Sequence, residues 1–333
     1  MRSPDREEGP DCPAKQDRKI IKKHRSGMKR HIIILNPIAG KGHAVKNRPE
    51  IEAFFDQYEL EYEIVLTERP GHAITLAEQY GSIPDTIIIA AGGDGTCNEV
   101  INGLMRASKQ KDMPKPLFGV LAIGRGNDFA YGARVSSVLE EDLLRIRDGE
   151  ARLMDVGEVK GGNYPDGRYF GNGVGIGFDA IVGFEAARMN HVHGGLAYTL
   201  GALKTLIKYP AAPVLKISMD GQLHELSPAL VSIMNGRRMG GSFFMAPDAE
   251  MDDGAFNVCM TRQGKRRQLL GAMLAYTKGT QSLREDTITG KAAHLTIETL
   301  SGTLAVHADG ETVCEAGTYL EIINHKHALR IIG

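Results

Sequence analysis

The sequence predicts an α/β N-terminal domain on a parallel, three-layer sheet, followed by an all-β second domain of sandwich type. Three observations carry this. Up to about residue 150, apolar runs alternate with amphipathic stretches of helix length, which implies crossover units and a parallel sheet covered on both faces. Glycine-rich turns follow three of those apolar runs, and together they mark one edge of the sheet. Beyond about residue 151 the texture changes to short strand-like runs separated by turn signals, the pattern of an antiparallel sandwich.

Taken in order, residues 1–28 are polar, and the stretch "RKIIKKHRSGMKR" (18–30) is basic, so a disordered tail is expected. Charge runs are usually solvated, which favours a plain extension before Met28 over a contact with anionic lipid. From His31 the chain reads strand "HIIILNP", helix "AVKNRPEIEAFFDQY" with Pro49 near its start or at a kink, strand "YEIVLT" and helix "GHAITLAEQYG". Strand "DTIIIAAG", helix "TCNEVINGLM", strand "PLFGVLAIG" and helix "SSVLEEDLLRIRDG" follow. The second half reads as strands "ARLMDVGEV", "RYFGNGVGIG", "APVLKISMD", "ALVSIMNG", "AFNVCMTR", "AHLTIETL", "TLAVHADGE" and "TYLEIINH". Helical patches interrupt it around 178–209 and 265–283.

Composition excludes several classes. The 333 residues are 42% hydrophobic and 24% charged with a formal net charge of -1, which gives no global reason to expect nucleic acid. No apolar run approaches the ~20 residues of a membrane-spanning helix, and no secretory signal is visible. Cys12, Cys97, Cys259 and Cys314 form no CxxC pair, so neither a zinc site nor a disulfide framework is expected and a reducing cytoplasm is the simplest home.

The chemistry concentrates in the glycine turns. In "IIIAAGGDGTCNEVINGL" (87–104), Thr96 and Glu99 fit a capping box, but that pattern leaves Gly92, Gly93, Asp94 and Gly95 unexplained. A glycine turn feeding a helix N-terminus offers free amides and a positive dipole end, which suit phosphate. An acid in the same turn repels phosphate unless a divalent cation lies between them, so the combination points to a metal-bound nucleotide. "NPIAGKG" (36–42) is a second such turn; it lacks the P-loop spacing and taken alone is equally a plain strand-helix connection. "TERPGHA" (67–73) is weaker, since Thr67 is also readable as a turn hydroxyl. "GRGNDFA" (124–130) sets Asp128 beside glycines, with Asn127-Asp128 equally readable as a helix cap. "HADGE" (307–311) reads locally as an Asp-Gly hairpin turn. "MAPDAEMDDGAFNV" (245–258) packs Asp248, Glu250, Asp252 and Asp253 into one loop that either binds a cation or faces water.

Together, "NPIAGKG", "GGDGTCNEVINGL", "GRGNDFA", "NGVGIGFDA", "APDAEMDDGAFNV" and "DGE" resemble, in order and over nearly all of residues 30 to 333, the diacylglycerol kinase catalytic-domain family of lipid kinases. Sphingosine and ceramide kinases belong to the same group. GGDGT alone also occurs in NAD kinases; the ordered set is specific. After the basic tail over 1–28, the resemblance implies a nucleotide-binding α/β domain over 29–152 and a β-sandwich lipid-substrate domain over 153–315. A segment at 316–333 would return to the first domain. It implies ATP and Mg²⁺, with Asn36, Pro37, Gly40, Thr67, Gly92, Gly93, Asp94, Gly95, Thr96, Asn98 and Glu99 contacting nucleotide. Asp94 would lie by the Mg²⁺-phosphate with Asp128 nearby, and Glu311 would be the general base. Asp253, with the carbonyls of Glu250 and Ala255, would hold a structural Mg²⁺. The implied reaction moves the γ-phosphate of ATP to a lipid hydroxyl at the membrane surface, most simply that of diacylglycerol. The protein would be cytoplasmic and peripheral, without nucleic acid; a homodimer is left open.

The chain departs from the family's P-x-G-T-x-N-D-F-A pattern at "AIGRGNDFA", with Ala122 for Pro and Arg125 for Thr. Arg125 suits phosphate oxygens, or else it fills the pocket and leaves a silent lipid- or nucleotide-binding regulator. Retained activity is the expectation, because Asp94, Asp128 and Glu311 are all present. The stretch "GLAYTLGALKTLIKY" (195–209) is a candidate lip for an apolar entrance, although packing on the sheet explains it as well.

Overall fold

The computed structural model describes residues 29–109, 115–187, 201, 204–207 and 211–333. The basic tail and most of the candidate lip at 195–209 lie outside them.

The N-terminal half alternates β1 (Arg30–Leu35), α1 (Ala39–Gln57), β2 (Tyr62–Leu66), α2 (His72–Gly81), β3 (Thr86–Gly92), α3 (Asp94–Ala107) and β4 (Leu117–Ala122). A short helix α4 (Asp128–Gly132), which the apolar pattern does not separate, precedes α5 (Leu139–Asp148). The four strands are parallel, in the order β2-β1-β3-β4. The alternation of a strand sends Ile33, Leu35, Ile87 and Ile89 to one face, against Ile51 and Phe55 of α1 and Leu143 and Ile146 of α5. Ile32, Ile34 and Ile88 face the other way, onto Ala73 and Leu76 of α2 and Val100 and Leu104 of α3. Both faces are buried, so "IIIL" and "IIIAA" are continuous apolar runs.

The second half contains β5 (Ala151–Gly161), β6 (Tyr164–Phe170), β7 (Gly173–Gly177), α6 (Phe178–Ala187), β8 (Val214–Met219), β9 (Gln222–Leu226), β10 (Pro228–Met234) and β11 (Phe256–Arg262). Helix α7 (Arg266–Lys278) and a 3₁₀ turn (Gln281–Leu283) lead to β12 (Thr287–Ala292), β13 (His294–Ser301), β14 (Leu304–Ala308), β15 (Glu311–Gly317) and β16 (Tyr319–Ile332). One sheet runs β12-β11-β10-β7-β14-β15 and is antiparallel throughout. Its Val174, Ile176, Val231 and Val306 pack against Val159, Leu215, Ile297 and Ile322 of the facing sheet to form the sandwich core.

That facing sheet is continuous with the parallel one. Tyr319 to Ile323 of β16 pair with β13, whereas Arg330 and Ile331 pair in parallel with β4. β5 runs antiparallel to β16 from Lys160↔Glu321 to Ala151↔Ile332. The two halves therefore share one sheet of 10 strands, which fixes their relative position through backbone hydrogen bonds.

"RYFGNGVGIG" does not form the single strand its composition suggests. It divides at Gly171 and Asn172 into β6 and β7, which belong to different sheets.

Candidate active site

The chain order reverses between β1 and β3, so the carboxyl ends of these neighbours open a crevice. Two adjoining cavities occupy it. The first, about 540 Å³, is lined by Asn36, Pro37, Gly40, Lys41, Thr67, Arg69, Gly93, Gly95, Thr96, Glu99, Arg125 and Glu311, among others. The second, about 560 Å³, is lined by Asp94, Arg125, Asp128, Phe129, Phe184, Met239, His307 and Asp309, among others. Arg125 borders both.

Glycine is required where the turns close on one another. A Cβ on Gly124 would stand 2.4 Å from the Cα of Gly93, so the two glycine turns pack backbone to backbone. Gly40 has φ 58°, and a Cβ there would meet the Ile123 carbonyl at 2.6 Å. Asn36 ties the first turn to the second: its Nδ2 donates to Thr96 Oγ1 (3.1 Å) and its Oδ1 accepts from the Ile38 amide (3.2 Å).

Helix α3 begins at Asp94, directly after Gly93. Its first-turn amides have no helical carbonyl to bond and open toward the cavities. The expected capping box does not form. Thr96 lies inside the helix, and the Glu99 carboxylate instead accepts the amides of Gly71 (2.8 Å) and Ala73 (3.1 Å) at the N-terminus of α2. Gly92 is buried behind the turn, and Asn98 is only 1% exposed. Asn98 Nδ2 donates to Asp309 Oδ2 (3.0 Å) and to the Tyr169 carbonyl (3.1 Å), while its Oδ1 accepts from Arg168 (2.7 Å). Asn98 therefore links α3 to the sandwich.

Asp94 Oδ1 accepts the Phe129 amide at 2.9 Å. Burial pushes its carboxyl from 3.8 up to about 6, and the charges of Asp128 and Asp309 add to the shift. Burial also raises Asp128, against the pull of the Gly241 amide and of Arg238, whose Nε lies 2.9 Å from Oδ1. A Cβ on Gly126 would stand 2.9 Å from Asp94 Oδ2 and 3.8 Å from Asp128 Oδ2, so both oxygens face the same small space. Asn127, read as a helix cap, makes no cap bond; its Nδ2 turns back to the carbonyls of Ala122 and Gly124.

Glu311 starts β15 and is exposed, with no side-chain hydrogen bond to any described residue. The residues that place it were not nominated from sequence. Asp309 and Gly310 have φ 47° and 85°, as in a type I′ hairpin turn between β14 and β15. The Asp309 carboxylate accepts the amides of Gly171 (2.7 Å), Asn172 (3.0 Å) and Gly173 (2.9 Å), at the break between β6 and β7. "HADGE" is thus both the hairpin turn and part of the cavity wall. Beside it, His307 Nε2 and Asp179 Oδ2 are 2.9 Å apart and buried, and His307 Nδ1 faces the Gly310 amide at 3.4 Å. The only local signal for Asp309 was a second acid beside the glycine of "DGE". Lys41 and Arg69, also unnominated, bring positive charge to the first cavity.

The loop nominated for a structural cation lies apart from both cavities. Glu250 is paired with Arg134 and Arg237, each at 2.6 Å. Asp253 is paired with Lys291 at 2.6 Å and accepts the Ala255 amide at 3.0 Å. The chain's own cations neutralise these acids. Among the described residues no group of three or more His, Cys, Asp or Glu side chains is arranged to hold a metal ion.

Residues 30–159 match the diacylglycerol kinase catalytic domain, and residues 172–333 match the YegS C-terminal NAD kinase beta sandwich-like domain. The chain belongs to the diacylglycerol kinase catalytic-domain family. As a member it is a lipid kinase, and kinases of this family take ATP as the phosphoryl donor. It is 29% identical over 310 residues to a diacylglycerol kinase of Bacillus subtilis (strain 168), covering 91% of this chain and 96% of that protein. It is 28% identical over 284 residues to a diacylglycerol kinase of Staphylococcus aureus (strain MRSA252), covering 85% and 86% of the two chains. A crystal structure of a Bacillus anthracis str. Sterne protein assigned as a diacylglycerol kinase superposes with TM-score 0.69 at 25% identity, over 92% of this chain and 98% of that one. No helix among the described residues is long and apolar enough to cross a membrane.

Proposed function

We propose that the protein transfers the γ-phosphate of ATP to the hydroxyl of diacylglycerol, giving phosphatidate. The observation that carries this is the pair of adjoining cavities. One is ringed by glycine turns, Lys41, Arg69, Arg125 and Glu311, the other is walled partly by Asp94, Phe129, Phe184 and Met239, and Arg125 lines both.

In this reading the triphosphate lies in the first cavity, against the open amides of α3 and the three cations, the acceptor headgroup enters from the second, and the reacting oxygen and γ-phosphate meet at the border the cavities share, between Glu311 of the first and Asp94 of the second. Glu311 takes the proton of the lipid hydroxyl; the oxygen forms its bond to the γ-phosphorus as the bond to the ADP oxygen breaks. Arg125 borders both cavities, is exposed and has no ion pair with a described residue, so it is available to the phosphate in flight and does not close either space. Asn98 and Asp309 act through position, holding the Glu311 turn against α3. Asn36, Thr96 and Glu99 shape the turns, with Pro37, Gly40 and Thr67 on the nucleotide wall.

The donor set at Asp94 fits Mg²⁺: hard carboxylate oxygens of Asp94 and Asp128 share a space, and although Arg238 pairs with Asp128, no cation among the described residues pairs with the buried Asp94. When bound there with ATP, the ion would neutralise developing phosphate charge. At Asp253 the carboxylate is paired with Lys291, and no step is derived through a metal there.

The experiment supplies ATP labelled at the γ-position and presents diacylglycerol, phosphatidylglycerol, a sphingoid base and an isoprenoid alcohol separately in detergent micelles. Label in phosphatidate supports the assignment. Label only in another product moves the acceptor, and no label in any product removes the proposal.

A further inference from the structure

We infer that helix α7 and the 3₁₀ turn after it form the face that docks on an anionic lipid bilayer. The inference rests on the acceptor being a membrane lipid, as proposed above.

Leu269, Ala272 and Tyr276 of α7 are buried against the sandwich. The opposite stripe carries Leu270 and Leu274, 48% and 57% exposed, and the following turn ends in Leu283, 83% exposed. Leu270 and Leu274 are one helical turn apart and present adjacent apolar side chains to solvent. Residues 254–284 contain six Lys or Arg and no Asp or Glu, in a chain whose net charge is -1. Lys265, Arg266 and Arg267 crowd the N-terminus of α7, where no acid stands in the first turn. The helix dipole disfavours cations at that end, so helix stability does not account for them. Exposed leucines ringed by bases are the chemistry of a helix lying in the boundary of an anionic bilayer. Nucleic acid would use the bases and leave the leucines without a role.

The position agrees with the cavities. Leu269, on the inner side of α7, lines a cavity of about 270 Å³ together with Phe178, Ile181 and Phe184, and Phe184 also walls the acceptor cavity. Among the described residues, Phe184 of α6 thus connects the inner side of the proposed membrane face to the site of transfer.

The test measures partition of the full chain, without ATP, onto phosphatidylglycerol-containing vesicles and onto pure phosphatidylcholine vesicles. The wild type should prefer the anionic ones. Lys265→Gln with Arg267→Gln should weaken that binding on the order of 25-fold, about fivefold for each cation near the surface. Leu270→Gln with Leu274→Gln should weaken it about tenfold through lost apolar burial. In detergent micelles both variants should phosphorylate lipid as the wild type does, and on vesicles they should fall behind it. Equal binding to both vesicle types, or unchanged binding of either variant, overturns the inference. So does binding to duplex RNA that the charge variant abolishes and the leucine variant leaves intact. A wild type silent in micelles would sink the kinase assignment instead, and the partition measurement would still read the docking face.

Discussion

Asp94→Asn should abolish phosphoryl transfer and stabilise the protein. Burial raises the Asp94 carboxyl from 3.8 to about 6, so its ionised form is disfavoured in the fold. Between roughly pH 4 and pH 6 the native state binds more protons than the unfolded one, and stability therefore falls as pH rises through that window. That displacement corresponds to at most about 3 kcal/mol at neutral pH. Asparagine keeps an acceptor for the Phe129 amide, but it gives up the charge at the α3 N-terminus, worth about 0.3–1 kcal/mol. Desolvation wins, and the variant should be about 2 kcal/mol more stable at pH 7 in the absence of nucleotide and divalent cations. Urea unfolding at several pH values, read as midpoints at constant slope, measures this. The advantage should shrink toward zero near pH 4. A variant less stable than the wild type at pH 7, or an advantage independent of pH, would refute the reasoning.

Other consequences follow from neighbouring residues. Asp309→Ala removes the acceptor of the Gly171, Asn172 and Gly173 amides and of Asn98, and puts alanine at φ 47°. It should cost about 4 kcal/mol, with Asp309→Asn near half of that, by urea midpoint. Gly124→Ala drives a Cβ to 2.4 Å from Gly93 Cα; it should lose about 2–3 kcal/mol by calorimetry and weaken ATP binding. Arg125→Thr should raise the KM for ATP on the order of tenfold, the worth of one charge-assisted hydrogen bond. A lower KM would mean that Arg125 obstructs the cavity.

The parallel half was legible because its strands are buried on both faces: "HIIIL" and "TIIIAAG" leave no reading but central strands, and the glycine turns mark their carboxyl ends. Where the sequence misled, the deciding partner was distant. The capping pattern at Thr96 and Glu99 is locally good, yet Glu99 is drawn to amides at the start of α2. "RYFGNGVGIG" has strand composition throughout, and Asp309, more than 130 residues later, holds its amides at the break. Glu250 and Asp253 look like free ligands until Arg134, Arg237 and Lys291 are folded against them. Asp94 is legible in its glycine turn, the roles of Asp128 and Glu311 come through a family resemblance, and Asp309 and His307 escape both, because their importance lies in contacts that spacing does not encode.

The central claim is that Glu311 and Asp94 act on one phosphate from the two sides of the interdomain crevice. Glu311→Gln tests it most directly, since the side chain is exposed and no hydrogen bond to a described residue is lost. The variant should bind ATP as the wild type does and unfold at the same urea concentration, while transfer of γ-phosphate to lipid falls by about 10²-fold or more. Transfer at the wild-type rate by this variant would contradict the claim.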